Sequence, residues 1–218
     1  MKFTKYIIFI FIIPIYCQFG KNIVQYKKFD WYYLQSKHFD IYYYENDTNA
    51  QYVADESLNA YNNISNAIGW KLKNRIPIIV YNSHNDFQQT NVIDMYMPEG
   101  VGGVTELYKN RVVIPYDGSH IQFRNVLHHE LVHAFINDYI YKGSIKSIQK
   151  DDVVLVPLWM NEGLAEFLSA SWDANSEMWI RDLVINGERL PKLNELNGYL
   201  AYRGGQSVWK FIVEKLDT

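Results

Sequence analysis

The chain has 218 residues, enough for one fair-sized domain or a smaller one with an extension. Hydrophobic residues make up 48% and charged residues 21%, a balance that supports a packed core and excludes a disordered chain. A formal net charge of −3, with no basic run and no stacking platform, excludes a general attraction to nucleic acid or anionic membrane.

The first seventeen residues stand apart. Lys2 and Lys5 form a short positive start, and Tyr6 to Tyr16 is an apolar run interrupted by Pro14. It is too short to span a bilayer stably but fits the apolar core of a secretory signal peptide, with the cut expected after Cys17, where the chain turns polar. Two alternatives stand beside that reading. One is lipoprotein processing at Cys17, although Tyr16 occupies the place where such a signal wants a small residue. The other is an uncleaved anchor. All three export the remainder, residues 18–218, to the periplasm or beyond. Cys17 is the only cysteine, so the exported domain holds neither a disulfide nor a thiolate metal site, and a metal there needs His and carboxylate ligands.

In chain order, Phe39 to Tyr44 is aromatic and β-prone and reads as a strand. Asn49 to Ile68 places Tyr52, Val53, Leu58, Tyr61, Ile64 and Ile68 at near-helical spacing, and Gly69 ends that helix. Ile76 to Tyr81 is a short buried strand, in which Pro77 predicts an edge or first-residue position. Val104 to Tyr108 and Arg111 to Pro115 predict a hairpin turning at Lys109-Asn110. Asp117-Gly118-Ser119 supplies turn and cap chemistry for a helix from about His120 to Tyr139. Residues 142–156 are polar and irregular until Val153. Leu158 to Ala170 follows Pro157 as a second helix, with further helical pieces at Trp179 to Val184 and Ala201 to Leu216. No internal repeat appears, so one α+β domain is the simplest division. The chain stops at Thr218 inside an amphipathic helical pattern, and a domain truncated at its C-terminus is one expectation.

The chemistry concentrates at His129-Glu130-Leu131-Val132-His133. On a helix, residues four apart share one face about a turn from each other, so both imidazoles can reach one ion. Glu130 then projects beside the ion, where its carboxylate can take a proton from the attacking water. His128 does not compete, because its partner at the same spacing is Val132. The alternative is a pair of surface histidines that bind nothing. Leu131, Val132 and Ala134 argue for a buried helix instead, and buried neutral histidines need partners. A second stretch, Trp159-Met160-Asn161-Glu162-Gly163-Leu164-Ala165-Glu166, puts Glu162 after 28 intervening residues (134–161). Two His and one Glu form an established ligand set for catalytic zinc. A Gly beside Glu162 permits close helix approach. Standing alone, Glu162 and Glu166 would read as a solvated helix face.

HELVH followed by PLWMNEGLAEF resembles the gluzincin clan of zinc metallopeptidases. The SKHFDIYYYE, IPIIVY and GYLAYRGGQSVW segments further resemble the peptidase-MA-like proteins of bacteria, and the likeness covers most of residues 28–218. The resemblance implies a zincin-like fold, with a small mixed sheet on the helix carrying HExxH and a mostly helical lobe after it. It also implies Zn2+ held by His129, His133 and Glu162, Glu130 as general base, a peptide or protein substrate, and a partner such as a following Tol-type β-propeller or an envelope protein. It suggests that Glu166 orients a zinc histidine, where a plain surface glutamate is the alternative. It makes the strand from Gly102 to Tyr108 an edge for substrate pairing, its glycines admitting another backbone; an ordinary hairpin is the alternative. Tyr199 or Tyr202 could donate to the oxyanion, with a core role the competing reading for each. Glu106 could bind a terminal amine only as a distant echo of the aminopeptidase motif.

Three functional readings follow: an active zinc metallopeptidase, an exported zinc-binding protein that binds peptides or partners without hydrolysis, and a metal-free structural domain.

Overall fold

The structure, a computed structural model, describes residues 26–45, 47–93, 97–98, 100–141, 156–187 and 189–216. The segment read as a signal over 1–17, and the polar stretch over 142–155, lie outside them.

The sheet begins with β1 (Tyr32–Gln35) and β2 (Phe39–Tyr43), an antiparallel pair. β1 escapes the sequence reading because it lies at the sheet's edge with Tyr32 and Tyr33 both exposed, so no buried alternation marks it. Its rings instead pair across the ladder, Tyr32 with Tyr43 and Tyr33 with Tyr42, at 5.9 and 6.0 Å. Helix α1 (Asp47–Ile68) crosses to β3 (Ile76–Tyr81), which lies parallel to β2. The helix ends as expected at Gly69, where φ is +69°. Its buried stripe is Ala50, Val53, Ser57, Ala60 and Ile64, whereas Leu58 faces solvent. Small side chains line this stripe because α1 lies against both the sheet and the next long helix.

β3 occupies the middle of the sheet, whose order is β1-β2-β3-β5-β4. The edge or first-residue position read from Pro77 is therefore corrected. Ile76 N–H donates to His38 O at 3.0 Å on the β2 side, so by alternation the Pro77 nitrogen faces the β5 side. Pairing with β5 starts only at Ile78 and Val112. The missing N–H thus falls where no ladder bond is due.

After a short helix α2 (His84–Phe87), β4 (Val104–Thr105) and β5 (Val112–Pro115) form the hairpin. It is shorter-stranded and wider-looped than predicted. Residues 106–111 make the connection, closed by Glu106 N–H to Arg111 O at 2.8 Å and by the Glu106–Arg111 ion pair at 2.5 Å. Asn110 takes φ +52° and sends its amide to Ala134 O at 2.9 Å. The loop is widened because it is anchored to the neighbouring helix.

That helix is α3 (His120–Tyr141), with Ser119 at its start, as the Asp117-Gly118-Ser119 pattern predicts. It packs with α1 on one face of the sheet, where Ile41, Ile78 and Ile114 meet Leu127, Leu131 and Phe135. Tyr44, Tyr81, Phe87 and Val113 form a second cluster on the other face. At its far end Asp138 accepts from Trp70 Nε1 at 2.9 Å and Lys73 N–H at 3.1 Å, tying α3 to the turn after α1.

The remaining elements are helical: α4 (Leu158–Ser169), α5 (Ala174–Asn186), a 3-10 turn (Leu193–Glu195) and α6 (Tyr199–Leu216). α5 starts five residues before the predicted Trp179, because Asp173 caps it by accepting from Ser176 N–H at 2.8 Å. The mixed α+β architecture expected from the sequence is present, with a five-stranded mixed sheet among the described residues. α4 and α6 cross where Gly163 meets Gly205. A Cβ on Gly163 would sit 2.5 Å from Gly205 Cα, and one on Gly205 would sit 2.8 Å from Gly163 Cα. The close helix approach expected at Gly163 is thus real, and Gly205 is its partner.

Candidate metal centre

α3 carries the site because its inner face leaves no freedom. Leu127, Leu131, Val132, Ala134 and Phe135 are fully buried, which fixes the rotation of the helix and turns His129, Glu130 and His133 toward a cleft between β4 and the C-terminal helices. His128 points the other way, to Glu56 on α1 at 3.5 Å. Glu162 stands in the first turns of α4, brought in by the Gly163–Gly205 crossing.

The structure brings together all three residues read as ligands. His129 Nε2 lies 3.1 Å from His133 Nε2 and 3.2 Å from Glu162 Oε2. His133 Nε2 lies 3.3 Å from the same oxygen. Three donors bound tetrahedrally at about 2.0–2.1 Å from one ion stand about 3.3–3.4 Å from each other, so the triangle matches the size such an ion needs. Among the described residues no other group of three His, Cys, Asp or Glu side chains is close enough to hold a metal.

Charge tells the same story. Burial by itself would lower the His129 pKa, but hydrogen bonds to Glu162 and Glu166, with the charge of Glu130, outweigh it and push it up to about 10. Burial likewise works to raise Glu162, and the hydrogen bonds from His129 and His133 hold it down at about 2. A proton on His129 supplies positive charge that three surrounding carboxylates demand, and a divalent cation among the donors would supply it equally well.

No protein-family model, curated protein or solved structure matches the chain.

Around the triangle the side chains divide by task. Glu166 Oε1 lies 3.3 Å from His129 Nδ1, and its Oε2 accepts from Arg203 Nη1 at 2.9 Å. A proton held on Nδ1 leaves Nε2 to offer its lone pair to an ion. Arg203 is itself held by Gln206 Oε1 at 3.1 Å. Among the described residues His133 has no such clamp, for its Nδ1 is buried without a protein partner. Glu130 is 7% exposed. Thr105 Oγ1, on β4, lies 2.6 Å from its Oε2 and 2.9 Å from its main-chain oxygen, two acceptors for a single hydroxyl proton.

Gly103 explains how β4 comes so near. A Cβ there would meet Glu130 Cγ at 3.0 Å and Val126 Cγ1 at 3.0 Å, and one on Gly102 would meet Val126 Cγ2 at 3.2 Å. These glycines admit the side chains of α3.

Of the two tyrosines, Tyr202 reaches the site. Its ring stacks on His129, with centroids 6.0 Å apart and planes at 14°. Burial, then the charge of Glu162 and a hydrogen bond to it, push its hydroxyl up to about 12. Tyr199 is about half exposed and lies beside Arg203, its hydroxyl 3.2 Å from Nε. Glu106 is committed to Arg111. Sequence reasoning missed Thr105, Arg203 and Gln206. The signal available for Arg203 was its place one position after Tyr202 on the same turn; Thr105 carried none, since its partner is 25 residues away.

Proposed function

We propose that the chain is a zinc-dependent metallopeptidase of gluzincin type with a zincin-like domain, exported from the cytoplasm, that hydrolyses peptide bonds. The observation that carries this reading is the convergence of two imidazole nitrogens and one carboxylate oxygen within 3.1–3.3 Å of each other, with the Glu130 carboxylate one residue from the first imidazole.

A zinc ion held by His129, His133 and Glu162 would supply Lewis acidity, bringing the pKa of a water towards about 7 and polarising the substrate carbonyl. Glu130 takes the water's proton and returns it to the leaving amine, and it is buried enough for that transfer to be directed. Thr105 steadies the Glu130 carboxylate from β4. Tyr202 stays protonated at neutral pH and can donate to the oxygen that gains negative charge. Glu166, braced by Arg203, keeps the His129 ring in its orientation. A C-terminal propeller or an envelope partner belongs to the same proposal as its wider context.

Metal analysis and activity together test the reading. The expected result is stoichiometric zinc that is lost in His129→Ala, with hydrolysis of peptides by the wild type and none by Glu130→Gln. Stoichiometric zinc without any hydrolysis would favour a peptide-binding, non-hydrolytic role, and no zinc at all would leave a structural domain.

A further inference from the structure

We infer, resting on the peptidase reading, that Asn110 is a positioning residue for the general base. Its amide, held by Asn137, fixes the hairpin on α3 so that Thr105 keeps the Glu130 carboxylate in place.

Asn110 lies in the connection between β4 and β5 with φ +52°, a conformation that glycine takes freely and asparagine tolerates. Turn asparagines commonly spend the side chain on their own backbone two residues on. Asn110 sends both ends of its amide across to α3. Its Nδ2 donates to Ala134 O at 2.9 Å, and its Oδ1 accepts from Asn137 Nδ2 at 3.3 Å. Glycine would serve the turn as well; the side chain answers to the helix.

Glu130, Ala134 and Asn137 are spaced i, i+4, i+7 and form one stripe along α3, beside the stripe that carries His129 and His133. Thr105 engages the first position of that stripe, its Oγ1 2.6 Å from Glu130 Oε2 and 2.9 Å from Glu130 O. Asn110 engages the second, four residues or about 6 Å farther along the axis. Ala134 is fully buried and adds only a methyl group, so the loop can reach its main-chain oxygen. β4 pairs with β5 at two positions, Val104 with Val113 and Thr105 with Val112. So short a ladder would let the hairpin pivot about the Thr105 hydroxyl, and a second attachment one turn away removes that freedom.

The path between the attachments is short. Arg111 follows Asn110, and its main-chain oxygen accepts from Glu106 N–H at 2.8 Å while its Nε pairs with Glu106 Oε2 at 2.5 Å. Glu106 in turn follows Thr105. A shift at Asn110 thus reaches Thr105 through one main-chain bond and one ion pair. Thr105 has one hydroxyl proton for two acceptors, so the position of β4 decides whether the Glu130 carboxylate or its main-chain oxygen receives it. Proton transfer from the attacking water needs that carboxylate held in one orientation.

The test compares the zinc-loaded chain with Asn110→Gly, which keeps the turn conformation accessible and removes only the amide. The expected result is a loss of about fivefold in kcat, the worth of one hydrogen bond, with KM and zinc content unchanged. Asn137→Ala, which leaves the turn untouched, should lower kcat in the same direction by less, and Lys109→Ala at the exposed loop tip should leave it unchanged. Joined to Thr105→Val, Asn110→Gly should cost nothing further, because both act through one contact. Losses that multiply in the double variant, a raised KM at unchanged kcat, or lost zinc overturn the inference. Methyl NMR of Thr105 gives a readout independent of turnover: one χ1 rotamer is expected in the wild type, and averaging in Asn110→Gly. An unchanged rotamer overturns the inference while the peptidase reading stands. Averaging in a zinc-loaded protein that cuts no peptide overturns that reading and, with it, the part given to Asn110 in catalysis.

Discussion

The two halves of the molecule hold the site in different ways. Residues 26–141 pack α1 and α3 on a sheet, with Ile41, Ile78, Ile114, Leu127, Leu131 and Phe135 all sealed from solvent. His129, Glu130 and His133 ride on that core. The helices after residue 156 bury little bulk: Gly163, Ala165, Ala201, Gly204 and Gly205 dominate their buried positions, while Met178, Ile185 and Phe211 are more than half exposed. Glu162, Glu166, Tyr202 and Arg203 depend on backbone approach between α4 and α6. One half is held by volume and the other by proximity, so damage to them should separate stability from metal binding.

Variants can break that contrast in order of effect. The largest loss belongs to Glu130→Gln, in which activity should drop by about 10²–10⁴-fold with zinc retained, measured by single-turnover hydrolysis beside metal analysis. In the first half, Leu127→Ala should lower unfolding stability by about 2–5 kcal/mol in denaturant titrations. Its metal affinity should stay near that of the wild type as long as it is folded. Gly163→Ala reverses the balance: overpacking against Gly205 should lower stability by about 1–3 kcal/mol, yet weaken zinc binding more than Leu127→Ala does, because Glu162 moves with α4. Equal affinity losses in the two would erase the distinction between the halves. Glu166→Gln should weaken zinc about 10–100-fold through the orientation of His129, read by competition with a chelator. The smallest change is expected at Thr105→Val, about 1 kcal/mol in kcat from one lost hydrogen bond, with zinc unaffected and Thr105→Ser restoring the rate.

Much of this was legible in the chain itself, for a physical reason. A helix repeats every 3.6 residues, so the spacing of His129 and His133 already places both rings on one face, whatever surrounds them. Gly163, next to a carboxylate at a helix start, already announces a close neighbour. α1 declares itself by the period of its apolar residues and by Gly69 at its end, whereas α3, apolar on more than one side, is announced by the turn and capping residues Asp117-Gly118-Ser119 before it. β1 was invisible because an exposed edge strand buries no alternating side. Pro77 misled because its missing donor matters only on the side where a ladder bond is due, and which side that is depends on the neighbouring strand.

Local rules, then, determined the imidazole pair on one helix face, the carboxylate beside it and the α+β class, since each is written within one turn or one strand. Tertiary structure alone decided that Gly205 is what Gly163 faces, that Thr105 touches Glu130, and that Arg203 braces Glu166 across 37 residues. Contacts of that kind join segments whose order in the chain carries no record of their distance in space, and only the packing of the sheet, α3 and α6 against one another brings them within reach.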